Sequence, residues 1–171
     1  MAMKTFNVGD VLAAADLNRY CVNTGFAVKP SNTTRSSAPG FADDPDLQLP
    51  VVGGARYHVL LIAVFQSPAA AGFNFTFTGS GSNNLFGYWQ NWNPAGPTIG
   101  TGAYDGGTTA DLTSTITLGG TSGTGTNYVK VDGMLFTPNS GTLTFRWSQT
   151  NSNASATVVY HGSWMALWRV S

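Results

Sequence analysis

Reactive side chains are scarce in this sequence, and carboxylates come close together at one segment only. There are eight acidic residues, all aspartates, and three of them fall in the run Asp43, Asp44, Pro45, Asp46. Carboxylates and carbonyl oxygens are ligands that Ca²⁺ accepts, but the glycine and the terminal glutamate of an EF-hand loop are missing. Aspartates in a proline-containing turn also bond nearby backbone amides. We expect such a turn and no metal site, with Ca²⁺ binding left as the alternative.

The other candidates for acid-base or nucleophilic chemistry are dispersed along the chain. His58 and His161 each lie among apolar strand residues, which favours a polar strand position over a general base or a metal ligand. Cys21 is the single cysteine, so an intrachain disulfide cannot form. A lone thiol of this kind is most often a small buried side chain. We expect neither enzymatic activity nor a cofactor.

Aromatic and amide side chains are concentrated between Phe86 and Asn93. Because aromatic faces and amides suit sugar rings, Tyr88, Trp89 and Trp92 form a candidate contact for host surface glycans. Alternation along a strand gives a second interpretation, in which one aromatic set lies in the core and Trp89 packs on a neighbouring subunit. We favour the second interpretation, since aromatic residues are enriched in protein cores and interfaces.

The composition limits the class of protein. Charged residues make up only 9 % of the 171 residues and the net charge is zero, against an average charged fraction near ~25 %. Without a cluster of Lys and Arg, the chain lacks the electrostatic footprint of a nucleic-acid-binding protein. No apolar run reaches the ~18 residues of a membrane span, and the N-terminus does not read as a signal peptide. We expect neither nucleic acid nor membrane insertion.

The pattern along the chain predicts one short helix followed by β structure. Residues 7–26 are rich in helix formers, and Pro30 and three further prolines then introduce an extended linker. Aromatic and β-branched runs with glycine-rich turns between them predict strands at Ala55–Gln66, Phe73–Thr78, Leu85–Trp92, Ala110–Leu118, Asn127–Thr137, Gly141–Gln149, Ser155–Gly162 and Ser163–Val170. Such spacing indicates an all-β antiparallel sandwich or jelly roll. The domains predicted are an arm at 1–30, a linker with an edge strand at 31–53, and a sandwich at 54–171.

Both ends of the chain resemble structural proteins of tailed bacteriophages. The segment Phe-Asn-Val-Gly-Asp-Val-Leu-Ala-Ala-Ala-Asp-Leu-Asn is similar to an N-terminal motif of minor tail and head-surface proteins, although Ala13 replaces the usual Thr. The C-terminal run from Gly141 is similar to the closing hairpin of trimeric phage jelly rolls. The motif residues that match are Phe6, Gly9, Val11, Leu12, Ala14, Asp16, Leu17 and Asn18.

The resemblance implies a virion protein, made in the host cytoplasm, that forms a homotrimer. It implies a tumour-necrosis-factor-like jelly roll for decoration of the head or for the tail, and an arm that attaches it to capsid or tail proteins. The arm residues expected to dock on those proteins are Phe6, Val8, Val11, Leu12 and Leu17. The residues expected in the core or the three-fold interface are Trp147, Trp164, Leu167 and Trp168.

Overall fold

All regular secondary structure in the described part of the chain is β-strand. The computed structural model describes residues 24–79, 84–92, 105–109, 114–118, 120 and 125–170. These ranges contain twelve strands: β1 Thr24–Val28, β2 Thr33–Arg35, β3 Ala42–Val51, β4 Ala55–Gln66, β5 Phe73–Thr78, β6 Asn84–Trp92, β7 Asp105–Thr109, β8 Ile116–Leu118, β9 Asn127–Thr137, β10 Gly141–Ser148, β11 Thr157–Val159 and β12 Trp164–Arg169.

The strands form two antiparallel sheets that pack face to face as a β-sandwich. The larger sheet has eight strands in the order β1-β12-β4-β9-β6-β7, with β11 beside β4 and β2 beside β11. The smaller sheet has the order β3-β10-β5-β8. Side chains from both inner faces build one continuous apolar core, in which the Phe65 ring of β4 stacks on the Phe73 ring of β5 with centroids 4.1 Å apart.

The pairings between the two ends of the chain are nested. The first strand, β1, pairs with the last, β12. Moving inward along the chain, β3 pairs with β10, β4 with β9, and β5 with β8. These four antiparallel pairs alternate between the two sheets, so the chain folds as one long ribbon wrapped around the core. The remaining strands add to the larger sheet, with β6 and β7 extending it beyond β9.

Several predicted strands are confirmed. The predicted bounds Ala55–Gln66 and Asn127–Thr137 coincide with β4 and β9, which lie side by side in the middle of the larger sheet. The strict alternation of Phe73, Phe75 and Phe77 with polar residues also has the expected result, because all three rings are buried.

Other segments differ from the prediction. Residues 24–26 fall at the end of the predicted helix but belong to β1, because Thr24–Val28 pairs in full register with β12. The predicted helix otherwise lies outside the described residues. The linker range contains the ten-residue strand β3, whose prolines are tolerated because, among the described strands, only β10 pairs with it. Strand β7 lies in a segment predicted to be a loop, and of the predicted strand Ala110–Leu118 the described part has only Ile116–Leu118 in a strand.

Candidate functional site

The outer face of the eight-stranded sheet is unusually apolar. Nine large apolar side chains are exposed within the described residues, and strand alternation places seven of them on this face. We call this surface the outer aromatic face and define it by those seven residues: Phe26, Val28, Tyr88, Tyr128, Met134, Phe136 and Trp168. Exposed apolar residues grouped in this way mark interaction surfaces of proteins, whereas single ones are ordinary.

Strand β4 explains why the face is apolar at its centre. Its inward side chains are buried, and the alternate, outward positions include Leu60, Ile62 and Val64, which are half-buried. An antiparallel strand with one solvated face normally alternates apolar and polar residues. The central strand of this sheet breaks that alternation, so its outer side has the composition of a covered surface.

Cross-strand registers continue the apolar surface across the sheet. Phe26 of β1 lies opposite Ala166 of β12, which lies opposite Leu60 of β4. The rings of Phe26 and Trp164 approach to 5.6 Å between centroids. Near the C-terminal end of β9, Met134 and Phe136 line a pocket of about 360 Å³. The apolar surface therefore extends from the edge strand β1 to β9.

A small polar cluster lies within this face and pairs its own charges. The Asp132 carboxylate is 2.7 Å from Nε2 of His58, accepts a 3.0 Å hydrogen bond from the Tyr88 hydroxyl, and lies 3.3 Å from Nζ of Lys130. Burial raises the pKa of Asp132, but the hydrogen bonds from His58, Tyr88 and Lys130 outweigh it, so the pKa ends below its ordinary value. The hydrogen bond to Asp132 is the main cause that raises the pKa of Lys130.

The cluster does not form a nucleophilic triad in the described part of the chain. The imidazole of His58 contacts the Asp132 carboxylate and stacks on the Trp168 ring at 5.4 Å. Neither of these groups is a hydroxyl or a thiol that the imidazole could activate as a base. The hydroxyl of Tyr88 donates to Asp132 and not to the imidazole, so His58 is not placed to activate it. His161, the other histidine, lies in the turn before β12 and contacts the side chain of Asn32.

The aspartate segment surrounds a buried lysine. The ammonium of Lys29 lies 3.0 Å from both carboxylate oxygens of Asp44 and 2.8 Å from Oδ2 of Asp46. The side chains of Lys29 and Asp44 have no exposed area. Asp43 points elsewhere and pairs with Nε of Arg146 at 2.7 Å. Each of the three carboxylates thus has a cationic side chain of the protein as its partner.

Asp44 also bonds nearby backbone amides, as expected from the sequence, but its segment is an irregular part of strand β3 and not a separate turn. Its Oδ1 accepts hydrogen bonds from the backbone amides of Asp46 and Leu47, at 3.1 and 3.2 Å. Within the described residues no group of three or more His, Cys, Asp or Glu side chains is arranged to hold a metal ion. The lysine occupies the position between the carboxylates that the Ca²⁺ alternative assigned to the ion.

The residues predicted for the core or the interface separate into two sets. Trp147 and Leu167 are buried in the core, at 0 % and 1 % exposure. Trp164 and Trp168 are on the outer side of β12, where Trp168 is 36 % exposed. The structure therefore brings only the second pair to a surface that another subunit can reach.

Two of the candidate glycan residues, Tyr88 and Trp89, lie on opposite sides of β6. Trp89 points into the core, is 8 % exposed, and meets the Phe75 ring edge to face at 6.4 Å between centroids. It therefore contacts neither a glycan nor a neighbouring subunit through its ring face. Tyr88 is 40 % exposed on the opposite side of β6, and the side chain of Trp92 lies outside the described residues. The predicted docking residues of the arm and Cys21 also lie outside the described part.

Sequence reasoning missed Lys29 and Phe26, because both fall in or near the predicted helix and linker. If Thr24–Val28 is treated as a strand, alternation of its side chains places Phe26 and Val28 on one face. Nothing local to Lys29 shows that Asp44 is its partner, since fourteen residues separate the two in the chain. Contacts of this kind depend on the pairing of distant strands.

Comparison with known proteins gives no relative: no protein-family model matches the chain, and no curated protein matches it. In the described residues no helix has the length and hydropathy to cross a membrane.

Proposed function

We propose that this protein is a non-enzymatic structural subunit of a bacteriophage particle. It forms a homotrimer and attaches through its N-terminal arm to capsid or tail proteins. The observation that carries the proposal is the outer aromatic face, a surface whose central strand has the composition of a buried strand on both sides. The bacteriophage assignment rests on the sequence resemblance at the two ends of the chain.

The nested strand pairing supports a jelly roll of the tumour-necrosis-factor-like kind. A jelly roll has eight strands in two sheets. The four nested pairs use eight of the twelve strands, and they give each sheet four of them, β1-β12-β4-β9 and β3-β10-β5-β8. In this proposal β6 and β7 are an extension of one sheet, and β2 and β11 are a short addition at the opposite side.

Self-association through the outer aromatic face is supported by its charge pattern. Association buries charged groups at a cost unless they are already paired. On this face Asp132 is paired with His58, Tyr88 and Lys130 within the same subunit. The cluster can therefore be covered without leaving a lone charge. The low fraction of charged residues, 9 % of the chain, also favours self-association. The number of three copies rests on the resemblance.

The position of the first strand suits an anchoring arm. The arm leads directly into β1, which among the described strands pairs only with β12 and so lies at the edge of the sheet. The five apolar arm residues, Phe6, Val8, Val11, Leu12 and Leu17, would supply the contact with the particle. At ~25 cal/mol per Å² of apolar surface their burial gives several kcal/mol, and three linked arms increase the effective affinity further.

The decisive experiment compares the full chain with a version that lacks residues 1–23. The deletion stops before Thr24, because Thr24–Val28 forms five register pairs with β12 and belongs to the folded sheet. We expect both proteins to be trimers by native mass spectrometry, while only the full chain is recovered with purified particles after expression during infection. Incorporation of the shortened protein would overturn the arm's role, and a monomeric full chain would overturn the trimer.

A glycan-binding tip is a second candidate, favoured by one observation. Tyr88 exposes 40 % of its surface beside the polar groups of Lys130 and Asp132, and a ring with adjacent polar groups suits a sugar. A glycan array with Tyr88→Ala as the comparison tests this candidate. A saccharide signal that the substitution abolishes supports it, and an array without signal excludes it. Trp89→Ala is unsuitable, because the loss of a core ring destabilises the fold.

A further inference from the structure

The buried Lys29 has the surroundings of a reacting amine. Its Nζ is equidistant, at 3.0 Å, from the two carboxylate oxygens of Asp44, which brings it into van der Waals contact with the carboxyl carbon. The side chains of both residues have zero exposed area. A lysine of this kind is rarely fully buried unless it is paired. Here the pair consists of a nucleophile and an electrophile that are held together away from water.

We propose that Lys29 and Asp44 join through an isopeptide bond that the protein forms by itself. The bond between Nζ and the Asp44 carboxyl carbon forms, and one carbon–oxygen bond of that carboxyl group breaks. Two of the three ammonium protons leave with the oxygen as one water molecule. The reaction is a condensation, so it requires no oxidant, reductant or other co-reactant.

The neighbouring groups can carry the protons of this reaction. Oδ2 of Asp46 lies 2.8 Å from Nζ of Lys29, within the range for direct proton transfer. Asp46 is partly exposed, with 25 % of its side-chain surface accessible, and so has an outlet to solvent for water. In this scheme one ammonium proton passes to the Asp44 carboxylate, 3.0 Å away, which leaves an amine and a carboxylic acid. After the amine attacks, Asp46 takes a second proton from Nζ and delivers it to the departing hydroxyl group, which leaves as water.

Three N–H groups are aimed at the oxygens where negative charge develops. The indole Nε1 of Trp147 donates to Oδ2 of Asp44 at 3.1 Å. The backbone amides of Asp46 and Leu47 donate to Oδ1 at 3.1 and 3.2 Å. Fixed donors of this type stabilise a tetrahedral oxyanion formed at a carbonyl carbon. Burial also excludes the water that would reverse the condensation.

The main chain holds the lysine in place for the reaction. The backbone amide of Lys29 donates to the carbonyl of Ser163 at 2.8 Å, and its carbonyl accepts from the amide of Gly162 at 2.9 Å. Lys29 directly follows β1 of the larger sheet, whereas Asp44 lies in β3 of the smaller one. The isopeptide bond would therefore join the edge strands of the two sheets covalently.

The test is the intact mass of the full chain under denaturing conditions, fresh and after prolonged incubation of the folded protein. We expect the wild type to be lighter than its sequence by one water molecule. The matched control is Lys29→Arg, which keeps a cation beside Asp44 but presents a guanidinium instead of an amine. A wild-type mass equal to that of the sequence after incubation would overturn the proposal.

The control also excludes a different loss of water. Aspartates followed by glycine, such as Asp105 before Gly106, can form a cyclic imide of the same mass. That product persists in Lys29→Arg, whereas the isopeptide is lost. The bond itself appears after tryptic digestion as one branched peptide that joins residues 20–35 to residues 36–56. Separate peptides in a protein lighter by one water would assign the loss to the imide and overturn the proposal.

A second variant tests the proton carrier. Asp46→Asn preserves the shape and the hydrogen-bonding capacity of the side chain but removes its basic carboxylate. We expect its loss of water to be slower than in the wild type by about 100-fold or more, in the range that general base catalysis contributes. Equal rates would overturn the role of Asp46, and circular dichroism of both proteins confirms that the fold is unchanged.

Discussion

The two outer faces of the sandwich are built from the same kind of strand but have opposite surfaces. On the four-stranded sheet the outward positions of β5 and β10 are polar, although Thr76, Thr144 and Ser148 among them are buried; they are Asn74, Thr76 and Thr78, and Thr142, Thr144, Arg146 and Ser148. On the eight-stranded sheet the outward positions form the outer aromatic face. The inner faces of both sheets are equally apolar. The two sheets therefore differ in their outward-facing side chains, which are every second residue of each strand.

If the aromatic face is an interface, as proposed, folding and assembly are encoded in alternate residues of the same strands. Threonine and the aromatic residues both favour strands, so either outer surface suits the sheet itself. The two outer surfaces differ in whether their side chains suit contact with water or contact with another protein surface. The threonine face is suited to solvent, and the aromatic face is suited to a partner. Substitutions on the two faces should therefore affect different equilibria.

The largest expected effect is a charge placed on the outer aromatic face. Met134→Lys adds a cation opposite His58, where the register pairs the two positions. Burial of an unpaired charge in an interface costs about 3–5 kcal/mol, so we expect a monomer by light scattering, in contrast to the trimer proposed for the wild type. Thr142→Lys, at an exposed position of the other sheet, is the matched control and should stay trimeric. Equal masses for the two variants would remove the distinction between the faces.

The next effect is the loss of an aromatic contact. Trp168→Ala removes a ring that is 36 % exposed and stacks on His58. Tryptophans at the centre of interfaces commonly contribute about 2 kcal/mol or more, so the trimer should dissociate at higher protein concentration in sedimentation equilibrium. Val52→Ala is the control, since Val52 is 50 % exposed but lies in the turn between β3 and β4. A similar shift from the control would point to a general effect of apolar exposure.

A smaller effect concerns how β6 is held at the face. A Cβ atom on Gly87 would lie 2.4 Å from the carbonyl oxygen of Asp132 and 2.5 Å from Cα of Gly133. Gly87→Ala should therefore push β6 away from β9 and lower the free energy of unfolding by about 1–3 kcal/mol. Chemical denaturation measures the change. Gly40→Ala, whose Cβ meets nothing within 4 Å, should leave stability unchanged.

The smallest effect is the pH dependence of the polar cluster. Because the folded-state pKa of Asp132 is lowered, its ionised form stabilises the protein above the ordinary carboxyl pKa. This contribution is lost as the pH falls through the lowered value. Lys130 has a raised pKa, so its contribution is present below the ordinary lysine value and is lost as the pH rises through the raised one. Asp132→Asn should therefore flatten the acid limb of stability measured against pH, and an unchanged limb would contradict the role of the cluster.

Local sequence patterns correctly predicted the strands that are recognisable from their own residues. Both β4 and β9 were placed correctly because long apolar and β-branched runs end at clear turn residues. The buried half of β5 followed from strict alternation. The favoured prediction for the aromatic segment is wrong for Trp89: it placed this ring on a neighbouring subunit, but the ring lies in the core and meets Phe75.

The features that could not be predicted from the sequence are those that depend on pairing between strands far apart in the chain. Residues 24–26 fall in the predicted helix but belong to β1, because nothing nearby in the sequence reveals the partner strand, β12. The roles of Asp44 and Lys29 required the two edge strands to approach each other. Trp164 and Trp168 could be assigned to core or interface only once the direction of β12 was known.

The pairing of the first strand with the last has a consequence for biosynthesis. Phe26 and Val28 are made well before their neighbours Trp164 and Trp168, because more than 130 residues separate the two strands in the chain. The outer aromatic face is therefore complete only after β12 has been synthesised. Contacts between residues so far apart in the chain also make folding slow. Nascent chains in which β12 has not yet been made consequently lack the finished surface.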